Sequence, residues 1–222
     1  MTDSPWASAP ARTGSGTSPA PVGRFIEVLT VMLLGLATVG SAWSAYQVSQ
    51  WNGTETDEAR IAASHRIDAS REYALATQTI AYDAAVVSQF AQAVALDNEN
   101  LQAFLRTTLV RPAFAPILEE WEQQIANGEQ PTNLLQDEEY KSNLFAPSTA
   151  ADEAAAAASI LSEDAGANSD DYVLLTLFFA TALFFAGVTA SFNTRFTKIV
   201  LLSAATCTLL FAGVQLLTYP VA

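Results

Sequence analysis

Three apolar runs, at 25–46, 172–190 and 199–218, constrain this chain more than any other feature. Each is close to the roughly 20 residues that a helix needs to cross the hydrocarbon core of a bilayer. A backbone inside lipid must satisfy its own hydrogen bonds, so runs of this length are expected to fold as spanning helices. Only one charged residue, Glu27, falls inside them, near the end of the first run where water is close. A hydrophobic content of 50% and a mean hydropathy of +0.21 suit a membrane protein that carries one water-facing domain.

Charge divides the rest of the chain. The segment 52–171 holds 21 of the 23 acids and six of the ten bases, a net charge of −15 against −13 for the whole chain. Phosphate repulsion makes so acidic a domain a poor partner for nucleic acid or for an anionic lipid surface. The remaining bases flank the apolar runs. Arg12 and Arg24 precede the first, and Arg195 and Lys198 sit between the second and third. Short loops rich in Lys and Arg stay on the cytoplasmic side. Three spans then place the N-terminus inside, and the acidic domain and the C-terminus outside. Aromatic side chains favour the bilayer interface, and Trp43, Tyr46, Trp51, Tyr172 and Tyr219 fall where the outer interface is expected. A competing reading makes the first run a cleaved signal peptide, with Ala42-Trp43-Ser44 as a small-x-small site, but the run is long for that role.

The expected architecture is therefore all-α: three transmembrane helices, with a long antiparallel helical hairpin or bundle between the first and second. Its parts are a Pro-, Ser- and Gly-rich disordered cytoplasmic tail at 1–24, span one at 25–46, an acidic helical domain at 47–171, span two at 172–190, a basic turn at 191–198, span three at 199–218 and a short outer tail at 219–222. Asn52-Gly53 is expected to interrupt the first helix, with Thr54 capping the next. Ala69, Tyr73, Ala76, Ile80, Ala84, Val87, Phe90 and Val94 recur at spacings of three and four, one stripe of a helix reaching Leu96. Such a helix extends roughly 60 Å. Residues 97–100 read as a bend. Leu101, Phe104, Leu105 and Leu109 mark a short helix, and Phe114, Leu118, Trp121 and Ile125 another, closed by Asn127-Gly128. Residues 130–147 read as a polar loop, and Ser148 as the cap of a last helix that Gly166 and Asn168 can break. Tyr73, Ile80, Val87, Phe90 and Trp121 are the candidate packing residues. A thin, Ala-rich stripe on so long a helix also points to self-association.

Small residues recur at four-residue intervals in the spans: Ala37 and Ser41, Gly40 and Ser44, Ala182, Ala186 and Ala190, Ser203 and Cys207. Such spacing lets backbones approach closely in lipid, either within this chain, the preferred reading, or between subunits. Hydroxyls such as Thr38, Thr176, Thr181 and Thr208 are expected to bond their own helix.

Chemistry is harder to find. The chain has one histidine, His65, and one cysteine, Cys207, so neither an intrachain disulfide nor a His/Cys zinc cluster can form. His65 lies in a polar helical stretch and Cys207 inside a span. Carboxylates cluster around 119–122, 137–139 and 163–171, but none follows the EF-hand spacing, and divalent-cation binding is not expected. No catalytic or cofactor-binding residue is assigned and no cofactor is expected.

The stretch Ala42-Trp43-Ser44-Ala45-Tyr46-Gln47-Val48-Ser49-Gln50-Trp51 at the end of span one resembles a group of bacterial membrane proteins with no established activity. Ala76-Thr77-Gln78, Tyr82-Asp83-Ala84 and Leu109-Val110-Arg111-Pro112 with Trp121 carry the same resemblance. It implies one span, a helical outer region and two further spans in a bacterial inner membrane, and it implies no activity. The function expected is that of a non-enzymatic membrane scaffold or accessory subunit, which associates with itself or with another membrane protein. The alternative is a channel or transport-related homo-oligomer.

Overall fold

A computed structural model describes residues 21–130, 133, 137–192 and 194–222. Up to residue 20 the expected N-terminal tail lies outside the described residues, as do Asn193 of the basic turn and most of 131–136 of the expected polar loop. Among the described residues the fold is five α-helices and no strand: α1 (Pro21–Ala95), α2 (Glu99–Thr108), α3 (Ala115–Ala126), α4 (Glu138–Thr189) and α5 (Arg195–Thr218). α1, α4 and α5 are each long and apolar enough to cross a membrane, with mean hydropathies of 1.9, 2.0 and 2.0 in their most apolar windows. The chain divides into two compact units. One comprises Gln50–Ala167, and the other comprises Met1–Ser49 with Asn168–Ala222.

In the Gln50–Ala167 unit α1 and α4 run antiparallel. Ser162 Oγ donates to the Glu55 carbonyl at 3.0 Å, an Arg66 guanidinium nitrogen to Ser159 Oγ at 3.3 Å, and the Tyr140 hydroxyl reaches Asp83, so numbers rise along one helix as they fall along the other. The seam on α1 is Ala62, Ala69, Ala76, Asp83 and Phe90, all buried and all seven residues apart, the repeat of a left-handed supercoil. It differs from the expected stripe in two ways. Tyr73 is 59% exposed, its ring 5.3 Å from Phe145, and an acid occupies a seam position. Ala155, Ala158 and Ala165 are buried on α4, so alanine lines both sides of the contact and the helices come close. Gly166 lies against the Glu55 side chain: a Cβ there would stand 3.2 Å from the carboxyl carbon.

Several expected breaks are absent for one common reason. Asn52, Gly53, Thr54, Gly166 and Asn168 are all helical. A helical Gly costs only about 1 kcal/mol, less than the packing on either side returns. Thr54 does not cap; its hydroxyl and that of Thr56 donate back to the Gln50 and Asn52 carbonyls. α4 begins ten residues before the expected cap at Ser148. Asp137 Oδ1 accepts from the Tyr140 amide at 2.6 Å, which starts the helix, and Glu138 and Glu139 favour the positive end of its dipole. Burial of Tyr140 and packing of Leu144 hold this first stretch in place. Pro147 is accommodated inside the helix, with Ser148 Oγ donating to the Phe145 carbonyl at 2.8 Å.

α2 and α3 complete the end of the unit. Phe90 and Ala93 of α1, Leu105 of α2, Phe114 and Leu118 around the start of α3, and Tyr140 of α4 form one buried cluster, against which Ile80, Val87 and Trp121 pack. The Trp121 ring meets Phe90 edge-on at 6.4 Å, and the Arg106 guanidinium lies 5.7 Å over the Phe90 ring while pairing with Glu122. Burial of a ring such as Phe90 contributes roughly 1.5–3 kcal/mol, an upper estimate. α3 closes on Asn127-Gly128 in a Schellman turn, with Gly128 at φ +73°.

α1 closes the same way without a glycine. Asp97 takes φ +52°, its amide and that of Asn98 donate to the Val94 and Ala93 carbonyls, and Asn98 Oδ1 then caps α2. An L-residue pays for left-handed backbone where glycine does not. Asp97→Gly should therefore stabilise the unit by about 0.5–1 kcal/mol. The readout is the thermal midpoint of helix loss in detergent, and an unchanged or lower midpoint would contradict this account of the turn.

In the other unit the N-terminal part of α1 packs with the C-terminal part of α4 and with α5 around Leu33, Ala186, Leu202 and Ala205. Ala37, Gly40, Ser44, Ala182 and Ala186 are buried, so those small residues serve packing inside this chain, whereas Ser203 and Cys207 are exposed on α5. The hydroxyls of Thr38, Thr176, Thr181 and Thr208 each donate to the carbonyl four residues back.

Candidate functional site

The chemically distinctive place in the Gln50–Ala167 unit is the seam position taken by Asp83. Its carboxylate is 1% exposed and accepts three hydrogen bonds from two residues. Arg111, on the link between α2 and α3, donates from Nε to Oδ1 at 3.0 Å and from a terminal nitrogen to Oδ2 at 2.5 Å. The Tyr140 hydroxyl donates to Oδ2 at 2.5 Å. This fork of two parallel N–H bonds is the geometry that suits guanidinium to carboxylate. The Asp83 bond raises the Arg111 pKa. Burial, with the bond to Asp83 adding to it, pushes the Tyr140 phenol well above its ordinary value. Two helices, α1 and α4, and the link between α2 and α3 are thus fastened by one ionic network.

Beside the network opens a cleft of about 430 Å³. Arg111 and Tyr140 form one wall, Pro116, Ile117 and Leu144 supply apolar surface, and Glu120, Asp137 and Glu139 bring carboxylates. Volume and mixed lining are those of a binding cleft.

Because Tyr140 stays protonated in the folded state at pH values where the unfolded chain ionises, its contribution is complete below about pH 10 and is lost as pH rises through the raised value. Stability should therefore fall with rising pH above about 10. Tyr140→Phe should remove that part of the slope and cost about 1.5–3 kcal/mol at neutral pH, the worth of a hydrogen bond to a charge. Denaturant titrations at neutral and alkaline pH test both, and an alkaline slope that Tyr140→Phe leaves intact would contradict the assignment.

The residues expected from sequence lie elsewhere. Trp43 and Tyr46 are exposed on α1, their rings 5.8 Å apart. Trp51 is half-buried, with its indole nitrogen enclosed and unpartnered among the described residues. Tyr172 is fully buried, its hydroxyl donates to the Pro220 carbonyl at 3.1 Å, and its ring meets Tyr219 edge-on at 5.8 Å. Arg24 and Arg195 are exposed and Lys198 half-buried. Asp83, Arg111 and Tyr140 are brought together although sequence reasoning assigned them no role. The available signal was an acid in register with Ala62, Ala69, Ala76 and Phe90, in a domain with few bases to pair it.

No protein-family model matches the chain, and neither a curated protein nor a solved structure matches it.

Proposed function

We propose that this chain is a non-enzymatic integral membrane scaffold or accessory subunit, working through helix–helix association of its acidic helical domain and its spans. One observation carries the reading. Only 17%, 33% and 17% of the most apolar windows of α1, α4 and α5 is buried within the chain. Apolar surface on that scale needs lipid or other helices to cover it. The bases at Arg24, Arg195 and Lys198 support an orientation with the N-terminus and the turn before α5 in the cytoplasm and residues 50–167 and the C-terminus outside; the bacterial inner membrane is what the sequence resemblance implies. The acidic domain offers exposed Ile61, Ile67, Ile160 and Leu161 on its long helices, surface suited to another helix.

The test uses the full chain in native membranes, with Cys207→Ala and a single Leu161→Cys, treated with a bifunctional maleimide. A discrete crosslinked dimer, or one stoichiometric adduct to a second membrane protein, is expected. Complete absence of both, with a single copy per particle in mild detergent, would overturn the proposal. Ion leak from proteoliposomes above that of empty vesicles would instead favour a channel-forming oligomer.

A further inference from the structure

At the cytoplasmic end assigned above, α1 and α5 flank an open apolar groove of about 450 Å³. Phe25, Ile26 and Leu29 form one side, and Ile199, Leu202, Ser203 and Thr206 line the other. The chain positions that border it are basic. Arg24 immediately precedes Phe25, Arg195 lies one turn before Ile199, and Lys198 lies one turn before Leu202; the four-residue spacing puts each α5 base on a face shared with a groove residue. Glu27 on α1 is the one acid on these turns, which leaves an excess of positive charge. The start of α5 adds to it. Thr194 makes no side-chain cap, its hydroxyl donating to that of Thr197 at 2.6 Å, and the first turn carries no acid. The positive end of a helix dipole favours an anion.

We propose that this groove holds an anionic phospholipid, with an acyl chain between α1 and α5 and the headgroup phosphate at Arg24, Arg195 and Lys198. The inference rests on the membrane reading above. Apolar groove and basic border act together: a zwitterionic lipid satisfies the groove without the charge, and free phosphate satisfies the charge without the groove. Each Lys or Arg near an anionic headgroup contributes about fivefold in affinity.

The experiment is native mass spectrometry of the full chain from mild detergent, titrated with phosphatidylglycerol or with phosphatidylcholine of identical acyl chains. Retention of one phosphatidylglycerol per chain, about tenfold or more tighter than phosphatidylcholine, is expected. Arg24→Gln, Arg195→Gln and Lys198→Gln together should bring the two lipids to within about twofold. Ser203→Phe, which fills the groove and keeps the bases, should lose the retained lipid; helical circular dichroism verifies that both variants fold. Equal retention of both lipids, no effect of either variant, or displacement of the lipid by millimolar inorganic phosphate would each overturn the proposal. A chain that stays soluble without detergent would instead defeat the membrane reading on which it stands.

Discussion

Arg111→Leu should cost the acidic helical unit about 3 kcal/mol, among the largest losses available from one substitution. The lower end of the range for broken buried pairs applies because the Arg111 side chain is 31% exposed while Asp83 is 1% exposed. What is lost is less the attraction than the compensation: the Asp83 carboxyl is left inside the seam with only Tyr140 to hold it. Arg111→Lys should recover only part of this, since an ammonium cannot reproduce the two parallel bonds. Asp83→Leu combined with Arg111→Leu should regain most of the stability, because no unpaired charge then remains. Denaturant unfolding of the full chain in detergent, run as a double-mutant cycle, separates these cases. An Arg111→Leu variant within about 0.5 kcal/mol of the parent would contradict the structural weight given to the network.

Gly40→Leu should be the most disruptive change in the three-helix unit. A Cβ at position 40 would stand 2.5 to 2.9 Å from atoms of the Phe179 ring, and Phe179 is itself buried. The ring occupies the hollow that the missing side chain leaves, so any larger residue forces the helices apart, at a cost of about 1–3 kcal/mol or more. Gly35 supplies the control. It lies on the same helix with nothing within 4 Å of a Cβ, so Gly35→Ala should be neutral or mildly stabilising. Phe179→Ala in the Gly40→Leu background should restore part of the loss by returning the space. Thermal midpoints in detergent decide the matter, and equal midpoints for the substitutions at 35 and 40 would contradict the close approach.

The legible parts of the fold are those set by local pattern. Three long apolar runs, the turn near Asp97 and the glycine-terminated end of α3 each follow from a few neighbouring residues. The parts that sequence misplaced are those decided across helices. Asn52-Gly53 and Gly166 carry strong break signals, yet both stay helical, and packing of α1 against α4 outweighs a local cost near 1 kcal/mol. The start of α4 hides behind Pro147, a residue that usually ends helices, because Tyr140 and Leu144 earn their places in a cluster whose other members come from three other helices. Asp83 was overlooked because a hydrophobic stripe, counted by periodicity, passes over an acid; its place in the seam emerges only when Arg111, 28 residues away, is brought beside it. Tyr172, at the edge of an apolar run, has an interface aromatic's address and a core residue's burial.

The central claim is that the acidic domain and the turn before α5 lie on opposite sides of one membrane. Its most direct test is labelling of intact cells with a membrane-impermeant maleimide, in a Cys207→Ala background with a single Glu153→Cys or a single Thr194→Cys. The account predicts that the Glu153→Cys variant labels from outside and that the Thr194→Cys variant labels only after the membrane is opened; the opposite pattern, or labelling of both from outside, would contradict it.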